Sequence, residues 1–289
     1  MHKDVSFVAF YHKHNFFSFN ALIGALETED SLNDIDVYFL NNREDLFRGL
    51  NSIVKEYRKV IVGISFFTTQ LFEIREMLAT LRKNFENRIF IIAGGPHPSG
   101  DPIGTLEMGV DVAVVGEGEE ILIEILKKIK YGEDIFDTKG IAFFDHNNNY
   151  QYTGKRPPID ISKYPPFPIK NKKFGAIEIT RGCPYTCYFC QIPYIFGTRP
   201  RHRDIDSICK SIRFMKEYNK RDVRFITPNA FSYGSPDGKE LNLSKLEELL
   251  VKIKDIIAPK GRLFLGSFPS EVRPDYVNEE TSHRVFRAV

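Results

Sequence analysis

The residues of this chain best suited to chemistry are three cysteines within eight positions, in the run Thr180-Arg181-Gly182-Cys183-Pro184-Tyr185-Thr186-Cys187-Tyr188-Phe189-Cys190. Thiolates are soft metal ligands, and this spacing, directly after a predicted strand, lets three of them converge on one cluster. An iron–sulfur cube needs four ligands, so Cys183, Cys187 and Cys190 would leave one iron open to another molecule. Structural zinc instead closes its tetrahedron with four ligands, and here the fourth would be Cys209 or a nearby imidazole such as His202. Cys209 shares a helical stripe with Ile205, Ile208, Ile212 and Met215, the position of a buried core thiol.

Other candidates sit at the carboxyl ends of predicted strands, the edge where parallel α/β sheets collect ligands. They are Ser65 with Thr68 and Thr69, Gly94 and Gly95 in Gly94-Gly95-Pro96-His97-Pro98, and Gly116 and Glu117 in Gly116-Glu117-Gly118-Glu119. Further along lie Asn229, in Thr227-Pro228-Asn229-Ala230-Phe231, and Ser270, Glu271 and Arg273 after a later strand. The glycines allow backbone to approach a bulky ligand or an opposing loop.

The elements that would position these residues follow from apolar periodicity. Near-continuous apolar runs at Val5–Tyr11, Ile35–Leu40, Val60–Phe67, Arg88–Ala93 and Val110–Val115 read as strands covered on both faces. Leu71, Ile74, Leu78, Leu81 and Phe85 fall at helical spacing between the third and fourth runs, as do Ile121, Leu122, Ile125, Leu126 and Ile129 after the fifth. This alternation predicts an α/β fold whose first domain, residues 1–135, is a doubly wound, Rossmann-like or flavodoxin-like sheet. Residues 136–173 read as a β-hairpin around Asn147-Asn148-Asn149 and a linker stiffened by Pro157, Pro158, Pro165, Pro166 and Pro168. Residues 174–289 resume the βα pattern, with strands at Gly175–Thr180, Val223–Thr227 and Arg262–Ser267 and helices at Asp204–Tyr218 and Leu243–Ile257. At roughly 31 residues per βα unit these cannot close an eight-fold barrel.

Composition narrows the function classes. Forty basic and 38 acidic side chains leave a formal charge of +2, too balanced for a dedicated nucleic-acid binder. The apolar runs fall far short of a bilayer span, and the clustered thiols suit a reducing compartment, so a cytoplasmic protein without a membrane partner is expected.

The CxxxCxxC spacing, with Phe189 before the last cysteine, resembles the radical S-adenosylmethionine (SAM) enzymes. The resemblance implies a [4Fe–4S] cluster on Cys183, Cys187 and Cys190, with SAM chelating the open iron. An external one-electron reductant then drives SAM cleavage, and the resulting 5′-deoxyadenosyl radical attacks a small-molecule or macromolecular substrate. It also implies that Phe189 lies against the adenine and that Asn229, Ser270, Glu271 and Arg273 serve SAM, Asn229 standing where many members carry Gly-Gly-Glu.

Residues 1–135 resemble the cobalamin-binding-like domain that precedes the barrel in a large subfamily. Ser65, Thr68, Thr69, Gly94, Gly95, Gly116 and Glu117 are then the cobalamin contacts, and radical methylation of an unactivated carbon is the implied transferase activity. Where cobalamin domains with an imidazole ligand carry Asp-x-His-x-x-Gly, this chain has Tyr11-His12-Lys13-His14-Asn15. By the same resemblance residues 174–289 form only the first part of a partial barrel, an apparently truncated core. An iron–sulfur electron-transfer or sensing module that does not cleave SAM is the alternative from another functional class.

Overall fold

A computed structural model describes residues 3–288, which form two compact units divided between Ile159 and Asp160. In the first unit β1 (Lys3–Phe10), α1 (Phe16–Leu26), β2 (Asp36–Leu40), α2 (Arg43–Glu56), β3 (Tyr57–Ser65), α3 (Leu71–Phe85) and β4 (Ile89–Gly94) alternate as the periodicity predicts. Two short helices, α4 (Pro96–Gly100) and α5 (Pro102–Glu107), precede β5 (Val112–Val114) and α6 (Glu119–Tyr131).

The strands run β2-β1-β3-β4-β5 in parallel, and an antiparallel hairpin of β6 (Ile141–Phe144) and β7 (Tyr150–Tyr152) extends the β5 edge. Successive strand residues point to opposite faces. Phe7, Ala9 and Ile61 therefore pack with Phe19, Ile23, Ile121 and Ile125 on one side, while Val8, Val60, Val62 and Ile64 pack with Leu46, Leu50, Leu78 and Leu81 on the other. Both faces are buried, which explains why these strands read as unbroken apolar runs. The Asp145 carboxylate accepts hydrogen bonds from Asn147 N and Asn149 N, both at 2.9 Å, and closes the hairpin where the asparagines predict a turn.

In the second unit the expected strand Gly175–Thr180 is two short ones, β8 (Ile177–Glu178) and β9 (Thr180–Arg181). The switch occurs at Ile179, whose N–H donates to Ile226 O at 3.0 Å while its carbonyl accepts from Arg203 N at 2.9 Å. The backbone thus passes from one pairing partner to another within three residues. After α7 (Ile192–Phe196), β10 (Arg201–His202) pairs antiparallel with β9. α8 (Ile205–Glu217), β11 (Asp222–Ile226), α9 (Leu243–Ile257), β12 (Arg262–Phe264) and α10 (Glu279–Ala288) complete the described chain.

β11 lies between β8 and β12, parallel to both. Its Phe225 and Val223 pack with Ile208, Ile212, Leu246, Leu250 and Ile253 in the core of this unit. Side-chain caps start both long helices: Asp204 accepts from Ser207 N at 2.7 Å and Asn242 from Lys245 N at 3.1 Å. Among the described residues no helix is long and apolar enough to cross a membrane.

Candidate cofactor sites

The cysteine loop leaves β9 through Arg181, whose guanidinium grips Glu178 with contacts of 2.9 and 2.6 Å and lies 5.2 Å from the Phe196 ring. Gly182 then adopts φ +89°, and a Cβ there would stand 2.5 Å from Arg199 O. Glycine is required both for the left-handed backbone and for the close approach of the two strands of the loop. The following turns are pinned by Cys183 N to Gly197 O at 3.2 Å and Cys190 N to Cys187 O at 2.9 Å. All three thiols are free, with Cys187 exposed and Cys183 and Cys190 half-buried. Burial pushes the Cys183 thiol up, and the neighbouring Cys190 and Cys187 act in the same direction while Arg273 opposes them. The three sulfurs and the Arg273 guanidinium therefore share one neighbourhood.

The zinc reading loses its fourth ligand. Cys209 is buried in the core beside Ile208, Ile212 and Leu249. His202 has both ring nitrogens engaged: Nε2–H donates to Ser235 O at 2.8 Å, which leaves Nδ1 to accept from Thr180 Oγ1 at 2.9 Å. Among the described residues no three His, Cys, Asp or Glu side chains gather about a single ion. The donor set suits a cube, in which each cysteine meets a different iron.

Asn229 and Arg273 adjoin this loop. Thr227 bridges to Ser270, Ala230 N donates to Glu271 O at 2.7 Å, and Arg273 N donates to Asn229 Oδ1 at 3.4 Å. Asn229 is 3% exposed, and its Nδ2 has no hydrogen-bond partner. Arg273 lies 3.7 Å over the Tyr185 ring, within the cysteine loop, and pairs with Asp275 at 3.0 Å. Tyr185 and Tyr276 share a hydroxyl–hydroxyl hydrogen bond, and Tyr276 donates to Lys239 O at 2.9 Å. Ser270 is buried, its hydroxyl accepting from Gly266 N at 3.3 Å, whereas the Glu271 side chain is exposed. Phe189 and Tyr188 are fully open to solvent. Tyr185 and Tyr276 were not predicted as site residues; their only sequence signal is one aromatic between two cysteines and another just after Arg273.

In the first unit the strand-end loops are laced together. The Asn15 amide donates to Phe10 O at 2.8 Å and to Ser65 O at 3.0 Å, joining the ends of β1 and β3. Thr68 Oγ1 lies 3.1 Å from His97 Nδ1, and Gly116 N donates to Ser99 Oγ at 3.1 Å. Gly95 has φ +97°, with Ser65 Oγ 2.7 Å from where a Cβ would stand; Gly94 ends β4. Thr69 is exposed beside Thr68. The Glu117 carboxylate accepts from Ile159 N at 3.2 Å, tethering the segment beyond the hairpin. His12 lies 4.8 Å from the Phe10 ring and 5.5 Å from the His14 ring.

A doubly wound sheet with ligand-edge loops, followed by a parallel βα unit bearing a three-cysteine loop, defines a two-domain cofactor-binding protein of the iron–sulfur type. Residues 177–280 match the radical SAM superfamily and residues 13–126 match the B12 binding domain. It is 28% identical over 200 residues to an uncharacterized methyltransferase of Pyrococcus horikoshii, covering 63% of this chain and 43% of that one. It is 26% identical over 217 residues to the tRNA-2-methylthio-N(6)-dimethylallyladenosine synthase of Petrotoga mobilis, covering 71% and 48% respectively.

The fold matches the radical SAM methyltransferase TsrM from Kitasatospora setae, solved with cobalamin and a [4Fe–4S] cluster, at a TM-score of 0.70 and 19% identity, covering 100% of this chain and 57% of that one. It also matches the cobalamin-dependent radical enzyme OxsB, solved with aqua-cobalamin and SAM, at a TM-score of 0.67 and 17% identity, covering 99% and 42%. The chain thus spans about half the length of the proteins it matches.

Proposed function

We propose that this chain provides the cofactor-binding portion of a cobalamin-dependent radical SAM enzyme that methylates, or otherwise modifies by radical chemistry, an unactivated carbon. The observation that carries this reading is the gathering of three free thiols, the Asn229 amide and the Arg273 guanidinium in one unit. Cys183, Cys187 and Cys190 hold the cluster. The unpartnered Asn229 Nδ2 donates to the carboxylate end of SAM, and Arg273, braced on Tyr185, supplies positive charge beside it. Ser270 and Glu271 act through the backbone that fixes Asn229 and Arg273, and Phe189 offers a face to the adenine. Ser65, Thr68, Thr69, Gly94, Gly95 and Gly116 line the cobalamin edge of the first unit.

When bound, the cluster supplies the electron that cleaves SAM, and cobalamin supplies a methyl carrier. Thiols clustered at metal-ligand spacing suit a reducing, cytoplasmic setting and an external one-electron donor.

The test is anaerobic reconstitution with iron and sulfide, reduction, and quantification of 5′-deoxyadenosine and S-adenosylhomocysteine from added SAM. The parent is expected to form product, and Cys187→Ala to form neither cluster nor product. A complete cluster without SAM turnover would favour an electron-transfer module.

A further inference from the structure

We infer that His97, rather than His12 or His14, is the imidazole that the first unit presents to its ligand, its Nε2–H donating to an amide or phosphate oxygen of the corrinoid. The inference rests on the cobalamin reading above and adds to it a buried, titratable side chain of the ligand edge that this reading leaves unused. His97 is 6% exposed, and its Nε2 has no hydrogen-bond partner. Its place is fixed. His97 N donates to Phe66 O at 3.2 Å, Asp101 N donates to His97 O at 2.8 Å, and the ring packs 5.0 Å from that of Phe66.

The protonation state follows from the surroundings. Burial pushes the His97 pKa below its ordinary value, with Asp101 opposing, so the ring is neutral near pH 7 and carries one N–H. The Thr68 hydroxyl, 3.1 Å from Nδ1, can donate there and so leave the proton on Nε2. A buried N–H without an acceptor is unfavourable, and a ligand oxygen would relieve it. Cobalamin carries such oxygens around its corrin and on its nucleotide tail.

His12 and His14 are worse placed. His12 Nδ1 already accepts from His14 N at 3.3 Å, its Nε2 lies 3.4 Å from Gln70 Nε2, and His14 is exposed. As an N–H donor, moreover, His97 Nε2 offers cobalt no lone pair, so it reads the periphery of the ligand and not its metal.

Hydroxocobalamin titration of the full chain, followed by absorbance, tests this. His97→Phe keeps the ring contact with Phe66 and removes the donor; it should weaken binding about tenfold. His97→Gln, which restores a donor, should recover most of that loss, and His12→Ala should leave the affinity nearly unchanged. The melting temperature of the unliganded His97→Phe protein should not fall, because an unsatisfied donor has been removed; a merely structural histidine would show the opposite pattern. Unchanged affinity in His97→Phe overturns the assignment. So does a nitrogen splitting in the spectrum of bound cob(II)alamin that disappears with His97, since that would mean cobalt ligation. Failure of the parent to bind any cobalamin overturns the cobalamin reading, and the inference with it.

Discussion

At the residue scale, His202 shows how one polar side chain stabilises the frame of the cysteine loop. It links Thr180 of β9 to Ser235 O, and burial lowers its pKa while the Ser235 carbonyl opposes the shift. The fold therefore holds it neutral, whereas the unfolded chain takes up a proton near the ordinary histidine value of 6.5. Its contribution is fully present above that pH and is lost as pH falls through it, because the unfolded state then binds more protons. The parent's melting temperature should fall from pH 7 to pH 5. In His202→Gln, which keeps a donor and an acceptor but does not titrate, the decline should be shallower, and a set of melting curves across that range would show it. His12 and His97 are shifted the same way and account for part of the remaining slope.

At the element scale, the turn from β9 into the cysteine loop depends on Gly182. A methyl group there meets backbone at 2.5 Å in a left-handed conformation, so nothing flexible can yield. Gly182→Ala should cost roughly 1–3 kcal/mol of backbone strain and shift the thiols out of register. Iron and sulfide analysis should show impaired cluster loading while far-UV circular dichroism remains near that of the parent.

Most elements were legible from the periodicity of their apolar residues: helix α9 falls at the expected Leu243–Ile257, and β2, β4 and α8 within a residue or two of their expected bounds. β10 was not legible, since Arg201 and His202 form a strand only through backbone pairing to Arg181 and Thr180. α10 was also missed, its buried Val285 and Ala288 being spaced among charged residues that face away. The cysteines declare themselves by spacing alone. In contrast, the stacking of Arg273 on Tyr185 and the attachment of Glu117 to Ile159 join residues far apart in the chain and leave no local pattern.

At the scale of the whole molecule, two compact units hold two sets of candidate cofactor residues, one in each. A ligand that binds only the folded form stabilises what it binds by about 2.7 kcal/mol at one hundred times its Kd. Scanning calorimetry should therefore show hydroxocobalamin raising the transition of the first unit, and cluster removal by an iron chelator lowering that of the second. The strand order of the first unit also bears on how the chain emerges during synthesis. β2 joins one side of β1, β3 the other, and β4, β5, β6 and β7 each then add to the edge just completed. No strand has to be threaded between two that are already paired, so the nascent chain can build this sheet by accretion, in the order in which the ribosome delivers it.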